Sequence, residues 1–199
     1  MNNDNSDAED RNRKTFVVAI GASAGGLSAI KDLLAVLPAD LDAPVVIGVH
    51  SEPASKLKQA LEAHSTLNIK SAENGEALET STVYIVPGAR HAFFREGRLW
   101  LSEIVEDSGF RPSIDALFMT LAAEYGERAI AVVLSGLLKD GMRGAQVIHD
   151  MGGRTIVQDP DDALYASMPS SVIRGDHPKA VRTASELGSW LTSVIGTSL

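Results

Sequence analysis

Thr15-Phe16-Val17-Val18-Ala19-Ile20-Gly21-Ala22-Ser23-Ala24-Gly25-Gly26 is the stretch that decides the fold. Phe16 to Ile20 is a continuous apolar run, the pattern of a strand buried on both faces. The small residues after it permit a tight turn. Gly25 to Leu37 then carries Leu27, Ile30, Leu33, Leu34 and Leu37 at helical spacing, and Pro38 stops that helix. A doubly buried strand that turns at once into a helix opens an α/β unit with a parallel sheet.

The same alternation continues downstream. Strands are expected at Val45–Val49, Val83–Val86, Ala129–Leu134 and Thr155–Val157. Helices are expected at Ala54–His64, Pro112–Tyr125, Gly141–Met151 and Ser185–Ile195, with Pro112 suited to the first turn of its helix. A hairpin pairs Ala92–Phe94 with Arg98–Leu101 through Glu96-Gly97. The expected fold is therefore α/β: a doubly wound, mostly parallel sheet with helices on both faces and a small antiparallel hairpin. Upstream, Met1 to Lys14 has no large apolar side chain beyond Met1, so residues 1–14 are expected to form a disordered tail and residues 15–199 one domain.

Composition narrows the chemistry. With 18 Lys+Arg against 26 Asp+Glu the chain carries a formal charge of −8, which argues against general nucleic-acid binding. It contains no cysteine, which excludes disulfides, cysteine-ligated zinc, iron–sulfur clusters and thiol catalysis. No apolar run approaches the roughly 20 residues of a membrane helix. Met1-Asn2-Asn3-Asp4-Asn5 lacks the apolar core of a secretory signal, and a cytoplasmic protein is expected.

In parallel sheets, sites form at the carboxyl ends of the strands, and three polar signals fall there. Gly21-Ala22-Ser23-Ala24-Gly25 matches G-x-S-x-G, which exposes a serine nucleophile at a strand-to-helix turn beside N–H groups suited to an oxyanion. The same loop can instead be read as a phosphate or nucleotide cradle, although Leu27 stands where a P-loop needs lysine, or simply as a tight turn. His50 follows the second strand and is the candidate base; His91 is its best rival, with His64 and His149 on helices and His177 in a loop. Asp140, after the strand ending at Leu134, reads either as N-cap of the helix that begins at Gly141 or as the group that orients the histidine. The order Ser…His…Asp differs from the Ser…Asp…His of α/β-hydrolases, so a triad here would sit on a separate scaffold.

These residues, taken with several others, resemble the catalytic domain of the chemotaxis protein-glutamate methylesterases (CheB type). The matching pieces are Ile20 to Gly26; His50 with a following proline; Pro87-Gly88 with His91; Arg111-Pro112-Ser113-Ile114-Asp115; Leu134-Ser135-Gly136 with Asp140-Gly141; Gly152-Gly153 with Gln158-Asp159; and Met168-Pro169. They occur in the family's order across nearly all of the domain. The resemblance implies hydrolysis of glutamyl methyl esters on the cytoplasmic helices of chemoreceptors, with release of methanol, and deamidation of certain receptor glutamines. It places the catalytic roles on Ser23, His50 and Asp140 and the oxyanion site near Ala24 and Leu137. It implies no metal and no organic cofactor.

Some positions depart from the family. Ala24 stands where threonine is common, His50-Ser51-Glu52-Pro53 is one residue longer than His-Met-Pro, and Leu137-Leu138-Lys139 replaces a methionine and small residues. These departures leave open a receptor-binding module that has lost turnover. The family's N-terminal receiver domain has no counterpart in a tail of residues 1–14, so regulation in cis by phosphorylation is not expected. Arg111, Lys139 and Arg143 flank the expected site edge and are the candidates for steering an acidic substrate toward an acidic protein.

Overall fold

The computed structural model of the chain describes residues 15–50, 56–104, 111–137 and 139–196. The expected tail at residues 1–14, the Ser51-Glu52-Pro53 departure and Leu138 lie outside the described residues.

Seven parallel strands form the main sheet: β1 (Val17–Ala22), β2 (Val45–Val49), β3 (Asn68–Ser71), β5 (Thr82–Ile85), β8 (Ala129–Val133), β9 (Arg154–Gln158) and β10 (Ala180–Arg182), in the spatial order β10-β9-β8-β1-β2-β5-β3. A second, antiparallel sheet joins β4 (Glu76–Ala77), β7 (Arg98–Ser102) and β6 (His91–Arg95). The helices are α1 (Gly26–Leu34), α2 (Leu57–Glu62), α3 (Ile114–Tyr125), α4 (Met142–Asp150), α5 (Ser167–Gly175) and α6 (Ala184–Gly196). None is long and apolar enough to cross a membrane.

Alternation along each strand divides the core. Val18 and Ile20 face a cluster built with Ile30, Leu33 and Leu34 of α1 and Leu187 and Leu191 of α6. Val17 and Ala19 face the other cluster, with Leu117, Phe118 and Leu121 of α3, Ile148 of α4 and Phe94 of the small sheet. The period of two sends successive side chains to opposite faces, and both faces are covered, so β1, β2 and β8 read as unbroken apolar runs.

The expected fold class holds, with corrections at the margins. β3 and β10 were not anticipated because edge strands bury little: in β3 only Ile69 is fully buried. β4 adds a third strand to the expected hairpin, and α5 was not foreseen because Pro169 hid it. Proline is tolerated in a first turn, where its missing N–H has no intrahelical partner to lose. Helix α1 stops at Leu34 rather than Leu37, although Leu37 stays buried in the turn beyond. Pro112 lies outside its helix. Ser113 is the N-cap of α3, and its Oγ accepts the N–H of Ala116 at 3.2 Å.

Two glycines let α3 press onto the sheet. A Cβ on Gly21 would stand 2.4 Å from Ile114 Cγ2, and one on Gly48 would stand 3.1 Å from Leu117 Cδ2. With no side chains there, the N-terminus of α3 drops onto the carboxyl ends of β1 and β2. That approach brings its free N–H groups to the site described next.

Candidate active site

The chain runs outward from β1 to β2, then crosses back to β8 on the other side of β1, so the strand order reverses between β1 and β8 while all strands stay parallel. Crevices of open α/β sheets form at this kind of switch point. Ser23 leaves β1 here, and its N–H donates to the Ser135 carbonyl beyond β8 at 3.0 Å. His50 leaves β2, and its N–H donates to the Ala22 carbonyl at 3.3 Å. These two bonds extend the parallel ladder past the strands and hold both side chains at one sheet edge.

The structure brings Ser23, His50 and Asp140 into a single hydrogen-bonded chain. His50 Nδ1 lies 3.2 Å from Ser23 Oγ, and His50 Nε2 lies 2.8 Å from Asp140 Oδ2. The side chains of His50 and Asp140 are 12% and 6% exposed. An ionised carboxylate only accepts, so Asp140 selects the tautomer with hydrogen on Nε2 and leaves Nδ1 to accept from Ser23. The ring thus meets the serine through Nδ1, the reverse of the serine-protease wiring.

Asp140 does not cap the helix that follows it. Gly141 occupies the N-cap of α4 with φ 95, a left-handed conformation that favours glycine, and has no side chain of its own with which to cap that end. The Asp140 carboxylate turns instead to the N-terminus of α3: Oδ2 accepts from Ile114 N–H at 2.8 Å and Oδ1 from Asp115 N–H at 2.9 Å. Asp115 returns the contact, its Oδ1 accepting from Gly141 N–H at 2.9 Å and Gly144 N–H at 2.8 Å at the start of α4. Each carboxylate fills the other helix's first turn, where free N–H groups and the helix dipole favour negative charge.

The two carboxyls titrate in opposite directions. Burial works against ionisation of Asp140, but hydrogen bonds from His50 and from the N–H groups of Ile114 and Asp115 outweigh it and hold its pKa below the ordinary value. For Asp115 burial prevails: with the nearby Asp140 charge it raises the pKa, against hydrogen bonds from Gly144 and Gly141 and the field of Arg143.

Ala24 follows Ser23 in the chain, and Leu137 follows Gly136, which packs against Ser23. A Cβ on Gly136 would lie 3.0 Å from Ser23 Cβ, so the Gly136-Leu137 backbone passes directly beside the serine. Ser135, fully buried, locks this corner: its Oγ donates to the Ala24 carbonyl at 2.9 Å and accepts Tyr165 N–H at 3.0 Å. Its N–H donates to Gln158 Oε1 at 2.8 Å. Sequence reasoning assigned no role to Ser135, Gln158 or Asp115, although all three lay inside the quoted motifs.

The remaining candidates separate. Arg111, half-buried, lies three residues before Ile114, whose N–H Asp140 accepts, and Lys139, exposed, is next to Asp140 in the chain. Arg143 is exposed in the first turn of α4 and acts on Asp115. The rival His91 is fully buried, and its Nδ1 accepts Ser113 N–H at 3.1 Å, which fixes the turn into α3. His64 lies just past α2. His149 and His177 stack with ring centroids 5.4 Å apart, and neither touches the triad in any described contact.

Similarity to known proteins follows the same outline. The chain matches the CheB methylesterase family over residues 18–191. It is 38% identical over 168 residues to protein-glutamate methylesterase/protein-glutamine glutaminase 2 of Methanosarcina mazei, covering 79% of this chain and 46% of that one. It is 37% identical over 180 residues to protein-glutamate methylesterase/protein-glutamine glutaminase 4 of Myxococcus xanthus, covering 89% and 51%. The chain thus spans about half the length of these curated relatives. The crystal structure of the Thermotoga maritima CheB methylesterase catalytic domain superposes with a TM-score of 0.86 at 30% identity, covering 91% of this chain and 99% of that one. By fold, by sequence and by the extent of both matches, this chain belongs to the CheB methylesterase family.

Proposed function

We propose that the chain is a serine hydrolase that removes methyl esters from glutamyl side chains on the cytoplasmic helices of chemoreceptors, and deamidates receptor glutamines by the same route. The observation that carries this reading is the preassembled chain Ser23–His50–Asp140 in a member of this family. It supports turnover over a binding module that has lost it.

Ser23 Oγ attacks the ester carbonyl as its proton passes to His50 Nδ1. The oxyanion of the tetrahedral intermediate is held by the N–H groups of Ala24 and Leu137. The intermediate collapses to an acyl-serine, and His50 returns the proton to the departing methoxide as methanol. Water then attacks the acyl-serine, losing one proton to His50; as that proton returns to Ser23 the glutamyl side chain leaves as the carboxylic acid and ionises in solution. Through each transfer Asp140 holds the ring and stabilises the imidazolium. With an amide substrate the leaving group is ammonia.

Methanol release from a methyl-esterified receptor fragment, together with labelling of Ser23 by a serine-directed phosphonate, tests the proposal. Methanol release that survives Ser23→Ala, or phosphonate attached elsewhere, removes Ser23 as nucleophile.

A further inference from the structure

The surface around Ser23 is polarised. At the nucleophile's end stand Leu137, Leu164 and Tyr165, which are 45%, 73% and 41% exposed. On the Asp140 side the chain carries Lys139, exposed and next to Asp140, and Arg111, half-buried three residues before Ile114, whose N–H Asp140 accepts. Single exposed leucines are ordinary on a protein surface. Leu164 and Tyr165 are neighbours in the chain and are held rigidly against the loop that carries Ser23. A Cβ on Gly25 would lie 2.9 Å from Leu164 Cβ and 3.0 Å from Tyr165 Cδ2. Tyr165 is pinned through both backbone groups, its N–H to Ser135 Oγ and its carbonyl to Gly136 N–H, each at 3.0 Å. The loop behind it is tied to the end of β9, where the N–H groups of Asp162 and Ala163 both donate to the Asp159 carbonyl at 3.0 Å. A buried hydrogen-bond system therefore presents apolar side chains to solvent beside the nucleophile, in one preset position. Such an arrangement lowers the ordering cost of binding an apolar group.

We propose that Leu164 and Tyr165, with Leu137, form a docking lip that receives an apolar side chain of a helical protein substrate, one turn from the esterified glutamyl residue. The proposal rests on the esterase reading and adds to it a rule about sequence context. Geometry sets the spacing. Gly25 is two residues from Ser23, a span of at most about 7 Å, and helix neighbours one turn apart have Cβ atoms about 5–6 Å apart. Charge sets the direction. The cations at the far end suit a helix whose other residues are acidic, while its apolar stripe lies at the serine. The occupant is thus an acidic amphipathic helix carrying the ester on the border of its apolar face.

The probe is a capped, alanine-rich helical peptide with one glutamyl methyl ester, a leucine one turn away and glutamates on the opposite face. Affinity is measured with the Ser23→Ala protein, which holds the ester without turning it over, and with the same protein carrying Leu164→Ser. Leu164 is largely exposed, so the fold is expected to survive, and an unchanged melting temperature confirms it. Leu164→Ser weakens binding by about 5- to 20-fold, the scale expected when a single apolar contact is lost. Exchanging the peptide's leucine for serine weakens it equally, and the two changes together add nothing further, as required of groups in contact. Unchanged affinity for Leu164→Ser, or additive losses, overturns the docking lip. Methanol release by the unmodified protein from this peptide is scored separately. Its absence alongside the coupled binding losses would sink the esterase reading and leave the lip standing.

Discussion

Asp115 and Asp140 hold each other's helices: Asp140 Oδ1 accepts the N–H of Asp115, and Asp115 Oδ1 accepts the N–H of Gly141, the residue after Asp140. The group that orients His50 is thereby fixed by the ends of two helices at once. Its position depends on a residue that touches neither Ser23 nor His50 in any described contact.

Replacing Asp140 by Asn tests the joint role. The carboxylate accepts from His50, Ile114, Asp115 and Gly141, whereas an amide offers one oxygen and turns an NH2 group toward donors. Asp140→Asn should lower kcat by about 10²–10⁴, as the same exchange does in serine proteases by favouring the wrong histidine tautomer. It should also lower stability by about 1–3 kcal/mol for the donors left unmatched, so Asn is not the neutral replacement that a simple helix cap would allow. Near-normal kcat with a normal melting temperature would count against both parts.

The pH dependence of stability separates the two carboxyls. The Asp140 pKa is lowered in the folded protein, so its contribution is present above the unfolded carboxylate pKa and is lost as pH falls through the folded value. The Asp115 pKa is raised, so its contribution is present below the unfolded value and is lost as pH rises through the folded one. Between about pH 3 and 7, the melting-temperature gap between wild type and Asp140→Asn should widen with pH, while that for Asp115→Asn should shift in the opposite sense. Gaps that move in parallel would mean that burial does not divide the pair as described.

A protonated imidazole cannot take the Ser23 proton, so activity that uses His50 as base should rise with pH. The measurement is kcat/KM for methyl-ester hydrolysis across about pH 5 to 9. A flat profile would remove His50 from the role of base.

Lys139 is exposed beside Asp140 on a chain of net charge −8, and a receptor helix rich in carboxylates would be repelled without a local positive field. Lys139→Glu should lower kcat/KM for an acidic receptor fragment several-fold at low salt. The deficit should close toward 1 M salt, where the screening length falls to about 3 Å. An equal rate for the variant at low salt would dispose of steering.

The sequence by itself determined the α/β class, the tight Gly21–Gly26 turn after β1 and the three strand ends that deliver Ser23, His50 and Asp140. These are local signals. Continuous apolar runs report strands buried on both faces, the 3.6-residue spacing reports helices, and small residues before a helix report a tight turn. Tertiary structure alone decided which helix Asp140 serves. Ile114 is 26 residues away in the chain, and it arrives only because Gly21 and Gly48 let α3 settle onto the sheet. The roles of Asp115 and Ser135, and the placement of Leu164 and Tyr165 against Gly25, are likewise contacts between distant segments, written in no periodicity. The edge strands β3 and β10 escaped for a related reason. Their pairing is supplied by the neighbouring strand's open hydrogen-bonding edge rather than by an apolar run of their own.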